Sequence, residues 1–109
     1  MTDITYTLRY LPLFYQDLKE KVVYIAEKLQ NPQAANELLD AVENAITERL
    51  PNAESFEKCN SLKKRVLPYY RIYVKNYVVY YVVIQVSETE KIMEVRRFLY
   101  NKQNRDNLV

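Results

Sequence analysis

The sequence predicts an α+β domain in the order strand–helix–helix–strand–strand–strand, with a helical hairpin packed on one face of a mainly antiparallel sheet. Three observations carry this reading. Residues 4–10 alternate with period two. Residues 12–50 carry two apolar stripes at steps of three and four, interrupted once by Asn31-Pro32. Residues 69–100 hold three segments rich in Val and Tyr, side chains that suit a pleated, half-buried surface.

In the first strand Ile4, Tyr6, Leu8 and Tyr10 share one face. Pro12 suits the first turn of a helix, and Phe14, Leu18, Val22, Ile25 and Leu29 follow on one stripe. Asn31 then caps a second helix that Pro32 starts, with Ala35, Leu38, Leu39, Val42, Ile46 and Leu50 at helical spacing up to Pro51. Two helices joined by so short a link pack antiparallel. From Asn52 to Leu62 the periodicity disappears, which predicts a loop. A short segment around Lys64 to Leu67 precedes strands at about Tyr69–Lys75, Tyr77–Val86 and Ile92–Tyr100, with turns at Asn76 and at 87–90. The tail from Lys102 is polar until Leu108-Val109.

A length of 109 residues fits one domain, taken as residues 1–109. The longest apolar run, Tyr77 to Ile84, is strand-length and well short of the roughly 20 residues of a membrane span. No basic segment followed by an apolar run opens the chain, so no secretory signal is expected. The single cysteine, Cys59, has no internal disulfide partner and reads as inert, and a reducing cytoplasm is the simple expectation.

Absences restrict the chemistry further. With no histidine, no His-based triad or His general base is available, and a zinc site has too few ligands. With no glycine, glycine-rich phosphate loops and dinucleotide fingerprints are excluded. Catalysis would have to use Arg, Lys, Tyr, Glu or Asp, and no cofactor or metal is called for.

The net charge of +2 conceals an asymmetry: residues 1–57 carry −5 and residues 58–109 carry +7. Seven of the eleven tyrosines also lie between Lys63 and Arg105, interleaved with the cations. A basic half of this kind attracts phosphate or an acidic protein partner. The plainer alternative is that acidic helices balance a basic sheet within one fold.

The ordering of elements, together with particular motifs, resembles the RelE/ParE superfamily of toxins from bacterial type II toxin–antitoxin systems. The matching pieces are the Tyr10-Leu11 step closing the first strand, the Asn31-Pro32 break, and Leu50-Pro51 closing the second helix. Arg71-Ile72-Tyr73-Val74-Lys75-Asn76-Tyr77-Val78-Val79-Tyr80-Tyr81 looks like a pair of the family's strands. Val95-Arg96-Arg97-Phe98-Leu99-Tyr100-Asn101 looks like its final strand. The resemblance covers nearly the whole chain. It implies a small cytoplasmic toxin held inactive by a cognate antitoxin, acidic in its toxin-binding segment, with no membrane partner. Two activities coexist in the superfamily. RelE-like members cut mRNA on the ribosome, and ParE-like members inhibit DNA gyrase.

A ribonuclease of this type needs a base for the ribose 2′-OH, cations for the phosphoryl charge and an acid for the leaving oxygen. The resemblance nominates Arg71, Arg97 and Tyr100 as catalytic candidates. Arg65, Lys75 and Arg96 are candidate contacts for nucleic acid or antitoxin. Alternation places Arg71, Tyr73 and Lys75 on one face of their strand; on the last strand, Arg97 faces opposite to Arg96 and Tyr100. Arg71 and Arg97 would flank a phosphate if they shared an open sheet face. One departure counts against cleavage: RelE-like ribonucleases usually carry arginine where this chain has Val78, and ParE-like members often carry an aliphatic residue. Structural alternatives stand beside each candidate. Arg71 pairs with a carboxylate such as Glu94, Arg96 and Arg97 bind an antitoxin's acids, and Tyr77, Tyr80 and Tyr81 pack. A degenerate member that only binds a protein partner is the remaining reading.

Overall fold

The computed structural model describes residues 3–56 and 67–101. Strand β1 (Thr5–Tyr10) leads into helix α1 (Pro12–Val23), whose last turn widens into a π-helical turn over Tyr24–Lys28. Helix α2 (Pro32–Arg49) follows and tightens into a 3-10 turn over Leu50–Asn52. Strands β2 (Tyr70–Val74), β3 (Tyr77–Gln85) and β4 (Glu90–Tyr100) complete the fold. The sheet order is β1-β4-β3-β2. Two of its three pairings are antiparallel, and the N-terminal strand joins β4 in parallel. The helical hairpin carries the chain from β1 at one edge of the sheet to β2 at the other, and the β2–β3–β4 meander then brings β4 back alongside β1.

Local chemistry explains the helix boundaries. Asn31 Oδ1 accepts from the Ala34 N–H at 3.1 Å, which caps α2, and Pro32 occupies its first turn. The hairpin reverses at Gln30, with φ of 49°, in the left-handed conformation common just past a helix end. A chain without glycine must place another residue there. Lys75, with φ of 54°, does the same in the two-residue turn between β2 and β3.

The main core lies between the hairpin and one sheet face. Phe14, Leu38, Val42 and Ile46 from the helices meet Ile72, Val74, Val79, Tyr81, Met93, Val95 and Phe98 from the strands. Not every residue of the expected helical stripes is inside: Leu29 and Leu39 are exposed. Leu38 and Leu39 sit about 100° apart on a helix, so only one of them faces the sheet. Leu29 lies past the π turn, where the stripe has rotated away.

The second sheet face is not the open surface that flanking a phosphate there would require. Tyr69, Val78, Tyr80, Val82 and Leu99 form a second buried cluster on it, with Leu67 and Ile84 beside them. Burial on both faces explains why β3 reads as a near-continuous apolar run rather than a clean alternation.

β4 is irregular at one point. Its register with β3 shifts between Tyr80 and Tyr81, where Tyr80 pairs with Arg97 and Tyr81 with Val95. Arg96 is the extra residue of a bulge. Because of it, Glu94 and Arg97, three residues apart, both lie on the second face. The expected segment from Lys64 falls almost wholly outside the described residues, as do Cys59 and the polar tail.

Candidate functional site

Register places Arg71, Tyr80 and Arg97 side by side on β2, β3 and β4. Cross-strand neighbours share a face, so Arg71 and Arg97 lie on the same side of the sheet, two strand spacings or about 10 Å apart. Tyr80 between them is 1% exposed and belongs to the second cluster. Tyr100 pairs with Tyr77, on the helix side. The three catalytic candidates are therefore not brought together: two share one face, and the third lies on the other.

Arg97 is already engaged. Its Nε donates to Asp17 Oδ2 at 2.7 Å and its Nη2 donates to Asp17 Oδ1 at 3.1 Å. The Phe98 N–H donates to the same Oδ2 at 3.0 Å. This happens because β1 stops pairing at Tyr10–Val95, leaving the far half of β4 with an uncovered edge. Helix α1 lies against that half, and Asp17 supplies the acceptor that a neighbouring strand would otherwise provide. Hydrogen bonding to Asp17, opposed by burial, holds the Arg97 guanidinium above its ordinary pKa. The pair is a bidentate, charge-assisted contact in a mostly buried setting.

A second ionic group crosses β1 and β4. Glu94, 4% exposed, accepts from Arg9 Nε at 2.8 Å and from Arg96 Nε at 2.7 Å. Burial pushes the Glu94 carboxyl upward, but hydrogen bonds from Arg9 and Arg96 outweigh it and leave it below the usual carboxylate range. Arg96 also lies 5.9 Å from the Tyr69 ring. Burial works against its charge, and bonding to Tyr69 and Glu94 more than offsets that. Glu94 is thus the partner of Arg9 and Arg96, not of Arg71.

Arg71 has a different environment. Among the described residues no carboxylate pairs with it, and its guanidinium lies 5.8 Å from the Tyr73 ring. Its carbonyl accepts from Arg49 Nη1 at 3.0 Å. Arg49 also donates to the Tyr81 hydroxyl at 3.0 Å and lies 3.4 Å from the centroid of the Phe56 ring. The Tyr81 hydroxyl in turn donates to the Ala53 carbonyl at 2.6 Å. Lys75 is exposed in the β2–β3 turn, and Arg65 lies outside the described residues.

Tyr77, Tyr80 and Tyr81 pack. Tyr81 stacks on Tyr70 at 5.2 Å, Tyr80 meets Tyr69 edge-on, and Tyr77 stacks on Phe98 at 5.0 Å. Tyr100, 39% exposed, borders an open groove of about 550 Å³ with Glu20, Lys21, Tyr24 and Tyr77. Val78, where a nuclease of the superfamily would show arginine, is fully buried in the second cluster.

Sequence reasoning missed Asp17, Arg49 and the Arg9–Glu94–Arg96 group. Asp17 left one signal: it lies three residues after Phe14, a lone carboxylate on an apolar helical stripe. Among the described residues no group of three or more Cys, Asp or Glu side chains converges as a metal site. None of the described helices is long and apolar enough to cross a membrane.

In chemical terms the second face is poor in acid–base groups. Arg96 and Arg97 are matched to carboxylates, and among the described residues Glu94 on this face and Asp17 on α1 are both spent on arginines. The arrangement ties α1, β1 and β4 together. It offers Arg71, Tyr73 and Lys75, on β2 and its turn, as the less committed positions. A family model described as ParE toxin of type II toxin-antitoxin system, parDE, matches residues 8–105, from within β1 to beyond β4. No curated protein matches the chain.

Proposed function

This chain belongs to the ParE toxin family of type II toxin–antitoxin systems, and we propose that it arrests growth by binding its target, DNA gyrase, rather than by cutting ribosome-bound mRNA. Membership implies a cognate antitoxin as partner. The choice between targets rests on one observation above the others. Arg97 is held by Asp17 through two hydrogen bonds, while Tyr100 lies on the opposite side of the sheet.

An endoribonuclease needs its charge-stabilising cation aimed at the phosphate and its proton-transfer group within hydrogen-bond reach. A cation neutralised by a buried carboxylate supplies little field at a substrate. Val78 adds to the argument, because that position faces a packed cluster and offers no phosphate clamp. Binding a large protein target needs no such convergence, and an exposed aromatic and basic surface suffices for it.

Induced expression, followed in parallel for mRNA integrity and for plasmid supercoiling, tests this reading. DNA damage and filamentation with mRNA initially intact are expected. Rapid mRNA cleavage with supercoiling unaffected would overturn it in favour of the RelE-like activity. Normal growth would instead assign the chain as a degenerate member that only binds a protein partner.

A further inference from the structure

Strand β1 forms the other end of the sheet from β2, and β4 is its one neighbour in the sheet. Two contacts fix which way its backbone groups point. The Thr5 N–H donates to the Thr89 carbonyl at 2.8 Å, and the Leu11 N–H donates to the Val95 carbonyl at 2.9 Å. In a parallel pair, alternate residues turn both backbone groups toward the same neighbour. Thr5, Thr7 and Arg9 therefore bond to β4, and Ile4, Tyr6 and Leu8 point theirs outward. Among the described residues, none of these three has a backbone partner on that side.

β1 lacks the usual protection of an edge. It runs from Thr5 to Tyr10 with neither proline nor bulge, and its one charged side chain, Arg9, is turned to Glu94. The β2 edge differs, because Arg49 occupies its Arg71 carbonyl and the cations Arg71 and Lys75 stand along it.

The strand is also complementary to itself. Laid antiparallel with Tyr6 opposite the partner's Tyr6, it sets Ile4 opposite Leu8 and Thr5 opposite Thr7. Asp3 then meets Arg9, once at each end. Ile4, Tyr6 and Leu8 form the hydrogen-bonded pairs, in the phase that β4 dictates. Asp3–Arg9 and Thr5–Thr7 are the non-bonded pairs, whose side chains stand closer. Asp3 is exposed and has no ion pair among the described residues. Arg9 engages Glu94 through Nε and Nη2, which leaves Nη1 for a second carboxylate. Ile4 is 42% exposed on the helix side of the sheet, where the partner's Leu8 covers it. Moving the register by two residues puts Arg9 opposite Thr5 and Asp3 opposite Leu11, and the charge match is lost.

We infer that the β1 edge takes a second copy of this chain. Two β1 strands join antiparallel about a two-fold axis at Tyr6 and fuse the two four-stranded sheets into one. The contact is isologous, so it closes and leaves no β1 edge for a third copy.

Sedimentation of the purified full chain from about 1 µM to about 1 mM tests this, with amide hydrogen exchange measured at both concentrations. The mass should rise from that of the 13.1 kDa chain to twice that value. The Tyr6 and Leu8 amides should slow at least about tenfold with it, and the Thr7 amide, bonded to β4 in both states, much less. Asp3→Arg sets like charges opposite each other at both ends and should weaken the dimer at least about tenfold, whereas Asp3→Glu should preserve it. Asp3 is exposed and precedes β1, so both variants keep the fold. A chain still monomeric at about 1 mM overturns the inference. A dimer whose Tyr6 and Leu8 amides exchange as in the monomer assigns the contact to another surface and overturns it too. A dimer that Asp3→Arg leaves unweakened overturns the pairing centred on Tyr6.

Discussion

Asp17 on α1 and Arg97 on β4, eighty residues apart in sequence, form a bidentate ion pair that also satisfies the Phe98 N–H. One carboxylate therefore joins the helical hairpin to the uncovered edge of the central strand. It also withdraws from the surface the arginine that resemblance nominated for catalysis.

Removing one partner of such a pair leaves an uncompensated charge in a mostly buried place. Asp17→Ala is expected to cost about 3–5 kcal/mol of stability, read as a lower urea midpoint with little change in slope. The double variant Asp17→Leu with Arg97→Met should recover much of that loss, because no buried charge is left unpaired. A single Asp17→Ala within 1 kcal/mol of wild type, by the same approximate measure, would show the pair to be a surface contact.

Stability should fall at both ends of the pH range. Glu94 has a folded pKa below the ordinary 4.5, so its contribution is present above that value and is lost as pH falls toward the folded pKa. Tyr6 behaves in the opposite sense. Burial, then its hydrogen bond to Glu54, raises it from 10.0 to about 12, so its contribution is full below 10 and disappears as pH rises through that interval. Unfolding free energies measured across pH should show a shallower acid limb in Glu94→Gln and a shallower alkaline limb in Tyr6→Phe.

Among the described residues, two non-glycine positions hold positive φ, Gln30 at 49° and Lys75 at 54°. Left-handed backbone costs a residue with a side chain about 1–2 kcal/mol, part of which glycine's extra freedom in the unfolded chain cancels. Gln30→Gly and Lys75→Gly should each raise stability by about 0.5–1 kcal/mol. A lowered melting temperature in either variant would mean that the side chain makes a compensating contact.

Val78 offers a direct probe of the second face. Val78→Arg restores the residue type of a phosphate clamp but places its charge in a closed apolar cluster. The expected outcome is destabilisation by more than about 3 kcal/mol, with no gain of RNA cleavage. A folded, stable variant would show that this face opens readily.

Much of the fold was legible because it is local. The period-two run of β1, the Asn31 cap and the Val/Tyr segments each report their own conformation. The opposite facing of Arg97 and Tyr100 follows from counting, since an odd separation on a strand reverses the face. The parallel β1–β4 pairing was not legible, because it is decided by how the hairpin carries the chain across the sheet. The bulge at Arg96 was equally hidden, and it is what puts Glu94 on the same face as Arg97. The burial of the second face had a visible sign in the unbroken apolar stretch of β3, which alternating strands with one wet face do not show. The Asp17–Arg97 pair had only a faint one, a charge on an apolar stripe.

On the proposed gyrase reading, the toxin acts by binding its target and leaves mRNA uncut. The most direct measurement adds purified toxin, freed of its antitoxin, to DNA gyrase with relaxed plasmid, and separately to ribosomes programmed with mRNA. Loss of supercoiling with intact mRNA is the predicted result. Cleaved mRNA with gyrase fully active would contradict it.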